Sequence, residues 1–454
     1  MNLKHACILV TPLFVAGLTL AADEPAGREP NVRIDASAAL INALVQRSID
    51  ETEPVNEIIQ DTPVCGIGRT LGNVYAELIP DTRHATIDIA MQGVNYSETV
   101  GARHTIRIHT FTTTPLQVRR RIVIGETGIN LLAGPSSAVA CTQLIDVTST
   151  MDMDYLAKCM VRRGFENTRP AAEAESACKT VGHVIRRIDD EINPALATAS
   201  STLGRELRAF RQTGLLLEAM RFSTSTSHVH GAFRFATPGR TSPVPMMLSS
   251  DFDLAARIHE SVATEAAQTE FGGRTFSLTE VSKIYNELTR GLILDARSDA
   301  DIKLDLEKLA KLAAQLAGKP VIVTLPKRDP LIVTFADQGF TLEGRVESVQ
   351  QDKTTYAGLR VKVAYRLENR ADGVYALRKG PVRVALDKGN PEKKVDAMPA
   401  ATGVIMETML TEFMKERIKL AALPMLDPIA SRLLAPRAAA ANGWFALVWK
   451  LRKR

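Results

Sequence analysis

Residues 85–94 read ATIDIAMQGV and residues 181–210 read VGHVIRRIDDEINPALATASSTLGRELRAF, and the two stretches together decide the fold. In the first, Ala85, Ile87, Ile89 and Met91 recur at a period of two, which places them on one face of a strand. In the second, Val181, Val184, Ile185, Ile188, Ile192, Leu196, Leu203, Leu207 and Phe210 form a stripe at helical spacing, which Pro194 should kink. A half-buried sheet beside a long amphipathic helix is an α+β arrangement.

Outward from residue 85 the period of two runs from Asn73 to about Asp146, with turn signals at Pro80-Asp81, Gly101 and Gly125 to Gly128, so an antiparallel meander is expected. Before it, Leu40, Ile41, Leu44, Val45 and Ile49 spell a helix that Asp35 or Ser37 can cap and that stops before Pro54. After the meander the long helix should begin beyond Pro170, and strands near Leu217 to Thr226 and His228 to Phe235 close the half. The Pro- and Ser-containing stretch Pro238 to Pro245 is read as a boundary.

The plan then repeats. Phe252-Asp253 followed by Ile258 and Val262 lays onto Ile34-Asp35 followed by Leu40 and Leu44, an offset of 218 residues. Strands are expected at Val321 to Leu325, Leu331 to Phe335, Thr341 to Val349, Leu359 to Leu367, Tyr375 to Leu377 and Val382 to Leu386. A kinked helix from about Thr402 to Leu434, with Val404, Ile405, Met409, Phe413 and Ile418 inward, and a strand Trp444 to Leu451 end the chain. The second half carries an insert near 277–318 whose Leu304, Leu306, Leu309, Leu312 and Leu316 suggest an added amphipathic helix. The expected domains are residues 23–240 and 241–454, two similar halves, each a curved antiparallel sheet wrapped around a long helix.

Residues 1–22 read as a secretory signal peptide: Lys4 and His5, an apolar run from Ala6 to Leu20, then Ala21 and Ala22 as the cleavage site. Cys7 precedes the apolar run and so is no lipid-attachment site. The mature chain is expected to be soluble and exported, to a periplasm or to the outside. In an oxidising compartment Cys65, Cys141, Cys159 and Cys178 are expected to form structural disulfides, with Cys65–Cys141 and Cys159–Cys178 the favoured pairing among three. The formal charge of +5 comes from 56 basic and 51 acidic residues interspersed along the chain, which argues against a nucleic-acid partner.

Sharp motifs are few. His228 and His230 share a strand face but lack a third ligand, so no metal is assigned. His259-Glu260 begins like a zinc-protease helix, but Ala263 stands where the second His belongs. Gly66, Gly68 and Gly72 lack the spacing of a phosphate loop, and no nucleophile-elbow motif occurs. No cofactor is assigned. Arg119 and Arg121 should face away from Arg120. Lys450, Arg452, Lys453 and Arg454 beside Trp444, Phe445 and Trp449 could touch an anionic membrane surface or be a solvated chain end.

This pattern resembles the tubular lipid-binding superfamily, which includes bactericidal/permeability-increasing protein-like domains. The likeness rests on the helices starting at Ile34-Asp35 and Phe252-Asp253, the two meanders and the long second helices, and covers nearly all of the mature chain. It implies a non-catalytic carrier of lipid or another hydrophobic ligand. The candidate cavity residues are Leu40, Leu44, Ile49, Ile185, Ile188, Ile192, Leu196, Ile258, Val262, Ile405, Met409 and Phe413. Two other classes stay open: an envelope interaction protein with fully packed cores, and a hydrolase that gathers a Ser or Asp with His104, His109, His183 or the His228/His230 pair.

Overall fold

The structure is a computed structural model, and it describes residues 29–149, 155–212, 215–238, 251–277, 321–351, 353–386, 396–420 and 427–452, with 246, 248 and 280. The signal peptide and nearly all of the insert near 277–318 lie outside the described residues. The protein is a sheet-rich α+β fold with antiparallel sheets.

In chain order the elements are β1 (Val32–Ser37), α1 (Ala38–Val45), β2 (Arg47–Ile59), β3 (Thr62–Ile79), β4 (Ala85–Arg103), β5 (Ile106–Gly125), β6 (Gly128–Ala133), β7 (Ser137–Ala138), β8 (Cys141–Ser149) and α2 (Tyr155–Gln212). Then come β9 (Leu217–Thr224), β10 (His228–Phe235), β11 (Leu254–His259), α3 (Glu260–Phe271), β12 (Thr275–Ser277), β13 (Val321–Thr324), β14 (Leu331–Ala336), β15 (Gly339–Gln351) and β16 (Thr354–Arg370). The last are β17 (Gly373–Arg378), β18 (Arg383–Leu386), α4 (Ala400–Phe413), β19 (Arg417–Leu420), α5 (Asp427–Ala430), β20 (Arg437–Ala441) and β21 (Trp444–Trp449).

Two compact units result. The first holds Ser37–Ser201 and Phe222–Val229. Its sheet runs β2-β3-β4-β5-β6, with β7 and β8 also on β5. The second holds residues 29–36, Thr202–Arg221 and His230–Arg454. It contains the sheet β12-β13-β15-β16-β17-β19, with β14 on β15 and β18 on β16. A further sheet, β20-β21-β11-β1-β10-β9, pairs β1 with β11 from Val32↔Ile258 to Ala36↔Leu254. Each unit is thus discontinuous in sequence, and β1 lies between β10 and β11, whose paired residues come 218 to 226 positions later.

Several expectations are corrected. The first helix is only Ala38–Val45, capped by Ser37 Oγ, which accepts from Leu40 N at 3.0 Å; Asp35 lies in β1 and Ile49 in β2. Pro54 sits inside β2, which is tolerated because β2 is an edge strand whose outer side needs no donor. Pro170 likewise lies within α2, on an exposed side where water can satisfy the freed carbonyl. Ile258 belongs to β11, and the following helix is capped by His259. The tract from Thr402 to Leu434 is no continuous helix. Arg417–Leu420 pairs with the free edge of β17 instead, and Arg378 donates to Thr411 O and Met414 O at the end of α4.

The expected disulfides are absent: Cys65, Cys141, Cys159 and Cys178 are exposed free thiols. Cys65 on β3 and Cys141 on β8 are separated by β4 and β5, roughly 14 Å at three strand spacings. Cys159 and Cys178 lie on one helix, roughly 28 Å apart along its axis. Both separations exceed the ~7 Å Cα limit of a bridge.

Candidate functional site

The face of the first sheet turned toward α2 follows from register. It carries Val74 and Ala76 of β3, Ile87, Ile89 and Met91 of β4, and Leu116, Val118 and Ile122 of β5, all buried. Farther along the strands the same face becomes small and polar: Gly66, Gly68 and Thr70, then Asn95, Ser97 and Thr99, then Thr110, Thr112 and Thr114. Hydroxyl pairs zip that end, Thr99 with Thr110 at 2.9 Å and Thr112 with Thr142 at 3.0 Å. Apolar and polar ends therefore share one trough.

Helix α2 lies in this trough. Its Ala177, Val184, Ile188, Ile192 and Ala195 are buried. On one side it is tied to β2: Glu191 to Arg47, Arg187 to Glu51 and Glu53, His183 to Glu57, Lys179 to Ile58 O and Glu175 to Gln60 N. On the other side Asp189 takes Arg120 at 2.6 Å, and Glu173 takes the backbone N–H of Thr142 on β8, also at 2.6 Å. In a flat sheet β2 and β8 would stand roughly 19 Å apart, wider than the ~10–12 Å of a helix with side chains. The sheet must curl for both to reach one helix, and its glycines permit it. A Cβ on Gly72 would sit 2.7 Å from Gln92 O and 3.0 Å from the Cα of Gly93 directly opposite. Close strand approach is the role of Gly66 and Gly72, which are part of no phosphate loop.

The predicted cavity residues are placed as follows. Leu40, Leu44, Ile49, Ile188 and Ile192 are buried in the first unit, and Ile185 and Leu196 are partly buried on α2. Val262 is buried on α3, which packs on β14, whereas Ile258 is partly buried on β11. The side chains of Ile405, Met409 and Phe413 on α4 lie outside the described residues. Near them Met406 packs against a cluster of Val349, Leu359 and Met398. An open recess of about 680 Å3 lies on the opposite face of the first sheet, between Leu71, Val94, Tyr96, Pro115 and Val139, and not in the seam under α2.

Three of the histidines have polar partners that the fold supplies. His230 Nδ1 lies 2.7 Å from Asp35, whose second oxygen accepts from Arg257, itself bonded to Met246 O at 3.2 Å. Burial would push the Asp35 carboxyl up, but the His230 hydrogen bond and the Arg257 charge outweigh it and hold the group below its usual range. His228 Nδ1 sits 2.9 Å from Ser227 Oγ, so the two strand histidines have separate partners. His259 Nδ1 accepts from Ser261 N at 3.2 Å at the start of α3, and Glu260 accepts from Phe335 N at 2.8 Å. The His259–Ser261 pair is buried beside Trp444, which leaves no room for a substrate. Among the described residues no group of three His, Cys, Asp or Glu side chains could hold a metal, and no helix is long and apolar enough to cross a membrane.

At the chain end Trp444, Phe445 and Trp449 are buried in β21, so this aromatic trio does not face a membrane, and Lys450 pairs with Asp251. The physical reason is register: β21 lies between β11 and β20, with Leu254 opposite Trp449. Sequence reasoning missed the charged ties along α2, which need the sheet's curl to exist; their only trace was the alternation of Glu51, Glu53 and Glu57.

No protein-family model and no curated protein matches the chain. Among solved structures it is similar to the crystal structure of a lipopolysaccharide binding protein, at 10% identity over 93% of this chain and 99% of that one, with a TM-score of 0.29.

Proposed function

We propose that the protein is an exported, non-catalytic carrier of a lipid or other hydrophobic ligand, held in the seam between α2 and the first sheet. One observation carries this reading: α2 rests on an apolar seam but is fastened at both rims by partly exposed ion pairs. Of these, His183–Glu57 and Arg187–Glu51 are exposed enough to hold only ~0–1 kcal/mol each, whereas Arg47–Glu191 and Arg120–Asp189 are partly buried. The helix can therefore lift most easily around His183 and Arg187, and an acyl chain can replace the apolar contacts that Ile185 and its neighbours lose.

The reading includes two tandem halves. The sheet β20-β21-β11-β1-β10-β9 is symmetric about its β1/β11 pair, with one hairpin outside each. The cap residues Ser37 and His259 stand 222 residues apart, and so do the directly opposed Ile34 and Ala256. An offset of 222, close to the 218 read from the sequence, thus supports two similar halves.

A second reading, an envelope interaction protein with packed cores, is favoured by the full burial of Leu40, Val118 and Ile192. Native purification followed by mass spectrometry of organic-soluble material separates the two. Stoichiometric lipid, lost on Ile188→Asp, supports the carrier. A ligand-free protein that also takes up no fluorescent fatty acid refutes the carrier and leaves the packed-core reading.

A further inference from the structure

The outer face of the second unit's main sheet is basic, and one part of it is built to receive an anion. Rows of directly opposed residues cross β16, β17 and β19: Arg366, Leu377 and Arg417 in one, Glu368, Tyr375 and Lys419 in the next. This is the face opposite to buried Val363, Tyr365, Val374 and Ala376. Arg366 and Arg417 flank Leu377 with Cα atoms roughly 10 Å apart at two strand spacings, so both forks reach a group seated over Leu377. An open recess of about 860 Å3 lies there, and exposed Lys379 on the turn after β17 completes its rim.

The cations of this recess sit in the field of Glu368 and Asp372 but make no ion pair with either. The Arg417 guanidinium lies 3.9 Å from the centroid of the Tyr375 ring, a stack that fixes the fork while leaving its N–H groups to a ligand. Tyr375 is itself anchored, donating its hydroxyl to Asp372. Glu368, the acid closest in the rows, accepts from Arg370 at 2.6 Å, and no described acid is paired with Arg366 or Lys379. Among the described residues Glu416 is the single acid lining the recess; it is 91% exposed and lies 3.8 Å from Arg378. Arg378 is already committed to the carbonyls of Thr411 and Met414.

We propose that Arg366, Arg417 and Lys379 form a binding site for a phosphate-bearing anion. Two planar forks and an ammonium lining one recess match the oxygens of a phosphoryl group, which accepts bidentate arginine bonds on more than one edge. The phosphate can belong to a soluble ester or to a lipid headgroup. This site lies on a different unit from the α2 seam and stands or falls without it.

The test uses the full chain. Calorimetric titration with sn-glycerol 3-phosphate reads the soluble source, and co-sedimentation with phosphatidylglycerol/phosphatidylcholine vesicles against phosphatidylcholine alone reads the lipid source. Binding to either probe should weaken at least tenfold in the Arg366→Gln/Arg417→Gln double variant, severalfold in Tyr375→Leu, and on raising the salt concentration. Lys379→Gln, on an exposed turn, gives the same readout should the double variant not fold. Binding in the soluble arm assigns a free phosphate ester; binding only to the anionic vesicles assigns a headgroup. No binding to either probe, or equal binding by wild type and folded variants, overturns the proposal.

Discussion

Replacing Asp35 with Ala removes the shared acceptor of Arg257 and His230 and leaves a guanidinium 12% exposed with only the Met246 carbonyl. Arg33 stands directly opposite Arg257 on the neighbouring strand, so the loss also exposes a like-charge repulsion. Breaking a buried pair by deleting one partner costs ~3–5 kcal/mol, and the remaining carbonyl and the 39% exposed His230 move the expectation to about 3 kcal/mol. The assay is urea unfolding followed by tryptophan fluorescence. Both tryptophans, Trp444 and Trp449, lie in β21, which pairs with β11, so the signal reports this sheet. Because the folded carboxyl titrates below its unfolded value, its stabilisation is complete above about pH 4 and is lost as the pH falls through the depressed folded value. The difference between wild type and variant should accordingly shrink on acidification below pH ~4. A loss under ~1 kcal/mol at pH 7, or a difference that grows on acidification, refutes the reasoning.

Gly72→Ala should destabilise by ~1–3 kcal/mol because its Cβ meets strand backbone, whereas Gly344→Ala, with open space around it, should be neutral or slightly stabilising; thermal melts of the pair decide. Under non-reducing conditions a thiol reagent should label Cys65, Cys141, Cys159 and Cys178 in the native protein, and peptide mapping that finds Cys65 bridged to Cys141, or Cys159 to Cys178, contradicts the geometry above. Arg187→Ala should cost no more than ~1 kcal/mol, because its contacts with Glu51 and Glu53 are half exposed, and double-mutant cycles with either glutamate would reveal a stronger tie.

By itself the sequence determined the element types wherever one apolar period ran long. The alternation of Ala85, Ile87, Ile89 and Met91 is β4, the stripe from Val181 to Phe210 lies in α2, and Arg119 and Arg121 do pair with Glu77 and Asp88 on the face away from Arg120. Such patterns are local, and burial of one face is enough to enforce them. Tertiary structure decided what local pattern leaves degenerate. The run from Arg47 to Glu53 reads as the end of a helix until β3 offers its edge, and Arg417 to Leu420 reads as helix until β17 does. Backbone groups take whichever partner the fold brings, and a strand edge outweighs the few tenths of a kcal/mol per residue that separate helix from strand propensity. The thiols, the ties along α2 and the Arg366–Arg417 row depend on curl and register between residues far apart in sequence, and no periodicity encodes those distances.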